Sequence, residues 1–176
     1  TKSDNSFWSK LIQKTISSLV KKNSSLKVSF IDIIYFALIF FKFAKFRNYK
    51  NYLFLFFTGF KYKWRKALFL DLLLNDVHLT YFSKNKPNFS NIFFNGIAHI
   101  QHHYLFNSKV IDLPNLKNPQ WYLDHKKDPI EEALFFYDSI LKDYLNNKNF
   151  EIAIATALTQ IPYDMIKFYY KIKNHK

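Results

Sequence analysis

His99, His102 and His103 stand within five positions of one another in a chain that carries six histidines. Imidazole titrates near neutral pH and ligates zinc through either ring nitrogen, so such a cluster points to metal binding or proton transfer. His99 and His103 are four apart, and on a helix or tight turn beginning at Ile97 both rings leave the same face and can share one ion. His102 then points elsewhere. The chain has no cysteine, so any metal must be held by His, Asp, Glu or water. Asp124 and His125 form a second carboxylate–imidazole pair, placed in an irregular loop. Asp71, Asp76 and His78 read as solvated polar positions of a helix, and His175 sits in a polar tail with no assigned role. Trp121 and Tyr122 are candidates for stacking on a base or sugar, although loop aromatics more often cover a core.

The elements that must position these residues are mostly helical in pattern. Phe7, Leu11, Ile16, Leu19 and Val20 recur at roughly helical spacing before the polar break Asn23-Ser24-Ser25. Residues 28–46 read as a strongly apolar helix, 49–60 fits helix or strand, and Leu68, Leu72, Val77 and Tyr81 mark a long helix that ends before Pro87. Ile92-Phe93-Phe94, flanked by Asn and closed by Gly96, reads as a buried strand leading into the histidines. Residues 106–128, with Pro114 and Pro119, read as a long functional loop. Asp128-Pro129 followed by Glu131-Glu132 has the marks of a helix start, and Leu134, Tyr137, Leu141 and Tyr144 or Leu145 would face its core. Residues 150–157 read as a second buried strand, with its carboxyl-end loop at 156–163, the edge where open α/β sheets bind ligands.

A length of 176 residues suits one structural unit. The hydrophobic share of 49% and the aromatic share of 20% exclude a disordered chain, and two glycines are few for an α/β domain. The formal charge of +13 first suggests nucleic acid, but Arg47 and Arg65 are the only arginines. The excess is lysine, which lacks the rigid fork of base and phosphate readers, so nucleic acid is disfavoured as the partner. The apolar runs 28–41 and 53–57 fall short of the ~20 residues that cross a bilayer, which leaves peripheral membrane contact as an alternative. With no secretory signal pattern at its start, the chain is expected to be cytoplasmic.

The string Asn95-Gly96-Ile97-Ala98-His99-Ile100-Gln101-His102-His103-Tyr104, after its strand, resembles a segment of type I phosphodiesterase and nucleotide pyrophosphatase proteins of the alkaline phosphatase superfamily. There an Asp and a His four residues later bind one metal; phosphonoacetate hydrolases of that group carry a similar Asp-Tyr-Ile-Gln-His string. On this match His99 stands at the Asp position and His103 at the His position, so an imidazole replaces a carboxylate. Downstream, 135–144 with Asp138 looks like the family's next helix, and 150–157 like the strand that ends in Ser-Asp-His-Gly. Here that strand ends Thr156-Ala157-Leu158-Thr159-Gln160, so the second ligand pair is missing. Thr159 is a poor hydroxyl substitute, and Asp124 and His125 are the alternative suppliers. The likeness covers about 88–162, and the helices before it would match a variable cap.

The resemblance implies an α/β fold: part of an alkaline-phosphatase-like sheet with helices at 87–176, preceded by a helix-rich cap region at 1–86. It implies a metal-dependent hydrolase of phosphate esters or related esters, using a divalent metal, zinc with manganese as the alternative. The substrate would be a small anionic ester. The family's Ser or Thr nucleophile is not found in the chain, so the reading is a carboxyl-side fragment whose partner is the remainder of a longer chain upstream. Two other readings stand beside it: a non-enzymatic basic module binding anionic glycan, lipid headgroup or nucleic acid, and a degenerate family member with a structural role.

Overall fold

The computed structural model describes residues 6–22, 29–110, 117–146 and 150–155. Six α-helices run along them: α1 (Phe7–Lys22), α2 (Phe30–Phe43), α3 (Tyr49–Thr58), α4 (Arg65–Asn85), α5 (Gly96–Tyr104) and α6 (Pro129–Leu145). Short 3-10 turns lie at Phe46–Asn48 and Leu105–Asn107. The chain divides into two compact units, Thr1–Gly96 and Ile97–Lys176.

In the first unit α1 packs on α2, and α2 and α3 both pack on α4. Helix α2 starts at a capping box: the Ser29 hydroxyl accepts from Asp32 N, and the Asp32 carboxylate accepts from Ser29 N at 3.1 Å. This reciprocal pairing satisfies amide donors left open at a helix start. The core is built from Leu68 and Leu72 of α4, Tyr52 and Leu55 of α3, and Ile39 and Phe43 of α2, all buried. Rings knit these helices together, with Phe40 edge-on to Tyr52 at 4.9 Å and Tyr52 edge-on to Phe69 at 5.1 Å. Edge-to-face contact sets the electropositive rim of one ring on the face of the other. Arg65 is buried because its guanidinium lies over the rings of Phe54, at 4.5 Å, and Tyr62, at 4.6 Å.

Asp71 and Asp76 are not the solvated polar residues their types suggest. Both are buried, and Asp76 is fully enclosed. Its carboxylate accepts from Lys45 N at 2.7 Å, the Asn48 amide at 2.8 Å and the Tyr52 hydroxyl at 2.8 Å, so one side chain of α4 ties down the corner between α2 and α3. Burial pushes its pKa upward, against the pull of those three hydrogen bonds.

In the second unit, Ile100 and Tyr104 of α5, Leu123 of the loop, and Ile130, Ala133, Ile140 and Tyr144 of α6 are buried. Helix α6 begins as its sequence dictates, with Asp128 Oδ1 accepting from Ile130 N and Glu131 N and Pro129 at the first turn. Its inward stripe differs from the expected one. Of the expected residues Tyr144 is buried, Tyr137 and Leu141 are half-buried and Leu134 and Leu145 are exposed, while Ile130, Ala133 and Ile140 join Tyr144 on the inward face. Apolar residues lie nearly all round this helix, so periodicity alone did not select the face.

The expected α/β architecture is overturned. Among the described residues there is no strand, and therefore no alkaline-phosphatase-like sheet. Ile92-Phe93-Phe94 lies in an irregular stretch, 86–95, with Phe93 exposed; residues 150–155 are also irregular, with Ile152 and Ile154 exposed. A strand exists only through hydrogen bonds to a neighbour, and among the described residues neither run is paired into a ladder. The last two residues of the second expected strand, 156 and 157, lie outside the described residues.

Candidate functional site

Helix α5 carries the histidines. Its first amide, Gly96 N, donates to the buried Asp71 carboxylate at 2.8 Å, and Ile97 N donates to the Tyr137 hydroxyl at 3.2 Å. Two of the open donors of the helix start are thereby satisfied. Ile100 and Tyr104 take the buried face, which leaves His99 and His103 on an exposed one.

The expected pairing of His99 and His103 is present in this helix: their ring centroids are 4.8 Å apart, edge to face. His102 is exposed and, one residue from His103, is turned by about 100° around the helix axis. Setting Ile100-Gln101 against the Ile-Gln of the phosphonoacetate hydrolase string would instead align Ala98 and His102 with its Asp and His. The two imidazoles that meet are His99 and His103.

Tyr122, noted from sequence as a stacking aromatic, makes a ring contact and a polar one. Its hydroxyl lies 2.8 Å from His103 Nδ1, and its ring stacks on Tyr104 at 5.6 Å. Tyr104 hydrogen-bonds Tyr122 in turn, giving a line of three side chains from the core to the imidazole. Burial, followed by the negative charge Tyr122 would carry and the hydrogen bond between them, pushes the Tyr104 phenol up to about 12. Burial also lowers the His103 pKa, and positive charge on His99 and His102 lowers it further. His103 is therefore held toward the neutral form that can donate a lone pair.

Asp124 and His125 do not complete this pair. His125 Nε2 donates to the Asn118 carbonyl at 2.8 Å, and Asp124 Oδ1 accepts from Lys126 N at 3.0 Å. That amide is the first cause holding the exposed Asp124 carboxyl below its ordinary value. Among the described residues, no three His, Asp or Glu side chains gather where they could hold one metal ion. Thr159 lies outside the described residues. Asn118 was missed in the sequence and braces the site, its amide donating to the His103 carbonyl at 3.1 Å and its N–H to Asn107 Oδ1 at 3.0 Å. Its place among loop asparagines carries no signal of that role. Asp71 was also missed, although a charged residue inside the apolar run Leu70–Leu74 hints at a buried partner.

A cleft of about 420 Å³ opens elsewhere in this unit, between the loop and the start of α6. Lys109, Lys117, His125, Lys126 and Lys127 line it together with Asp128 and Glu131. Lys109 is paired with Glu131 at 3.4 Å, so part of the basic charge is already answered. No protein-family model, curated protein or solved structure matches this chain.

Proposed function

We propose that this chain contributes a two-histidine grip on a divalent metal ion to a hydrolase of phosphate or related esters. The observation that carries the reading is the His99–His103 pair, four residues apart with ring centroids at 4.8 Å. The hydrolytic class comes from the resemblance of Asn95–Tyr104 to metal-dependent phosphodiesterases, and no sheet is part of the proposal. Imidazole donors suit zinc and suit manganese less, because manganese favours carboxylate oxygen. Two ligands are fewer than the three or four of a protein zinc site, so the donor chemistry fits and the donor number does not. The remaining ligands and the nucleophile are assigned to protein outside the described residues. An ion held there would supply Lewis-acid polarisation of a phosphoryl oxygen. The residues of this chain do the holding: His99 and His103 donate lone pairs, and Tyr122 orients the His103 ring.

Zinc titration of the purified chain by calorimetry, beside His99→Ala, His103→Ala and the double variant, tests the grip. Stoichiometric binding that each substitution weakens and the double variant abolishes is expected, with His102→Ala binding as the parent does. Equal zinc binding by the parent and the double variant sinks the proposal. The lysine-lined cleft supports a second, non-enzymatic reading in which the module binds a small anion. Salt-sensitive anion binding that persists in chelator would favour it.

A further inference from the structure

Helices α2 and α3 are apolar on both faces. In α2, Asp32, Ile39 and Phe43 turn into the core, while Phe30, Ile34, Leu38 and Phe41, at helical spacings of four, four and three, are all exposed, the two phenylalanines to 75%. In α3, Tyr52 and Leu55 are buried. Leu53, Phe56, Phe57 and Phe60, at spacings of three, one and three, form a second exposed stripe that runs past the helix end, with Phe57 at 66%. Single exposed apolar residues are ordinary, but two continuous stripes of phenylalanine, leucine and isoleucine in one compact unit are not.

The charge around these stripes identifies what covers them. Residues 29–66 hold eight basic residues and one acid, whereas the whole chain holds 26 and 13. The acid, Asp32, is buried in its capping box, and one of the eight, Arg65, is buried among rings. Lys50 lies in the first turn of α3 with Arg47 just before it, and Lys61, Lys63 and Lys66 follow its end, all exposed. A second copy of the chain would bring like charge against like charge. A nucleic acid would leave the phenylalanines unburied.

We infer that the exposed stripes of α2 and α3 are a docking surface for an anionic lipid bilayer. Phenyl and isobutyl groups enter the boundary between headgroups and acyl chains, and the flanking lysines reach anionic headgroups with their methylene stems laid along the apolar face. At 14 and 10 residues the two helices are shorter than the ~20 needed to cross, and among the described residues no helix is long and apolar enough to do so. The surface therefore lies on the membrane.

Cosedimentation of the full chain with phosphatidylcholine vesicles, and with the same vesicles containing phosphatidylglycerol, tests this. Binding to the anionic vesicles alone is expected, released by high salt, and weakened roughly tenfold or more both by F56S/F57S and by K61E/K63E. Circular dichroism should report unchanged helix in both variants, since none of the four side chains is buried. Failure to bind anionic vesicles at low salt would overturn the inference, as would binding to which both variants are indifferent. Concentration-dependent self-association, lost in F56S/F57S and unaccompanied by vesicle binding, would overturn it in favour of a surface between copies.

Discussion

The Tyr52 hydroxyl donates a 2.8 Å hydrogen bond to the Asp76 carboxylate, and neither side chain is open to solvent. The pair joins α3 to α4, and burial raises both pKa values, with the Asp76 charge adding to the rise on the phenol. Tyr52→Phe leaves the ring in place and removes one of the three donors on a buried carboxylate. A loss of about 1–3 kcal/mol in urea unfolding, followed by tryptophan fluorescence, is expected. Asp76→Ala orphans the Lys45 amide, the Asn48 amide and the Tyr52 hydroxyl together, and should cost about 3–5 kcal/mol.

His78 predicts an acid weakness of the first unit. Its Nε2 lies 2.7 Å from Ser90 Oγ, and burial lowers its pKa from the ordinary histidine value. As pH falls, the unfolded chain takes up the imidazole proton before the native chain does. This contribution is therefore level above the ordinary histidine range, is lost as pH descends from that range to the lowered native value, and is level again below it. Urea midpoints at about pH 8 and about pH 5 should differ less for His78→Gln than for the parent. An unchanged difference would show that burial of this imidazole is not the cause.

Tyr122→Phe tests the orienting role given to its hydroxyl. Partners that fix the ring of a metal-bound histidine are typically worth about tenfold to a hundredfold in affinity. Zinc affinity should fall by about tenfold, with the helix content unchanged. A variant that binds as tightly as the parent would show that the 2.8 Å contact to His103 Nδ1 does not orient the ring for metal.

Asp128 caps α6 and also fastens the loop before it, because its Oδ2 accepts from Lys109 N at 2.9 Å and the Ser108 hydroxyl at 3.2 Å. Asp128→Ala should destabilise the second unit by about 1–2 kcal/mol in denaturant titration, more than Asp128→Asn, which keeps an accepting oxygen at the cap. Equal effects would place the loss in the carboxylate charge at the helix start.

The legible features are those whose causes lie a few residues apart. Asp128, Pro129, Glu131 and Glu132 announce the start of α6 because capping, the proline ring and the helix dipole all act within one turn. The His99–His103 pair is legible for the same reason, since a spacing of four on a helix sets two rings together whatever surrounds it. Ile92-Phe93-Phe94 and residues 150–155 misled, because a short apolar run has no period with which to separate strand from irregular chain.

What the amino-acid sequence determined by itself is therefore local: where α6 begins and which two imidazoles meet on α5. Which acids are buried, which face of α6 turns inward and what Tyr122 touches were decided only in three dimensions. Asp76 has the same side chain as any surface aspartate, and its three donors come from residues 28 and 31 positions away at Asn48 and Lys45 and 24 away at Tyr52. The histidine helix shows both limits at once. Its ring pair follows from spacing, but the contact of Tyr122 with His103, like a partner strand, is a meeting of distant residues that no local pattern encodes.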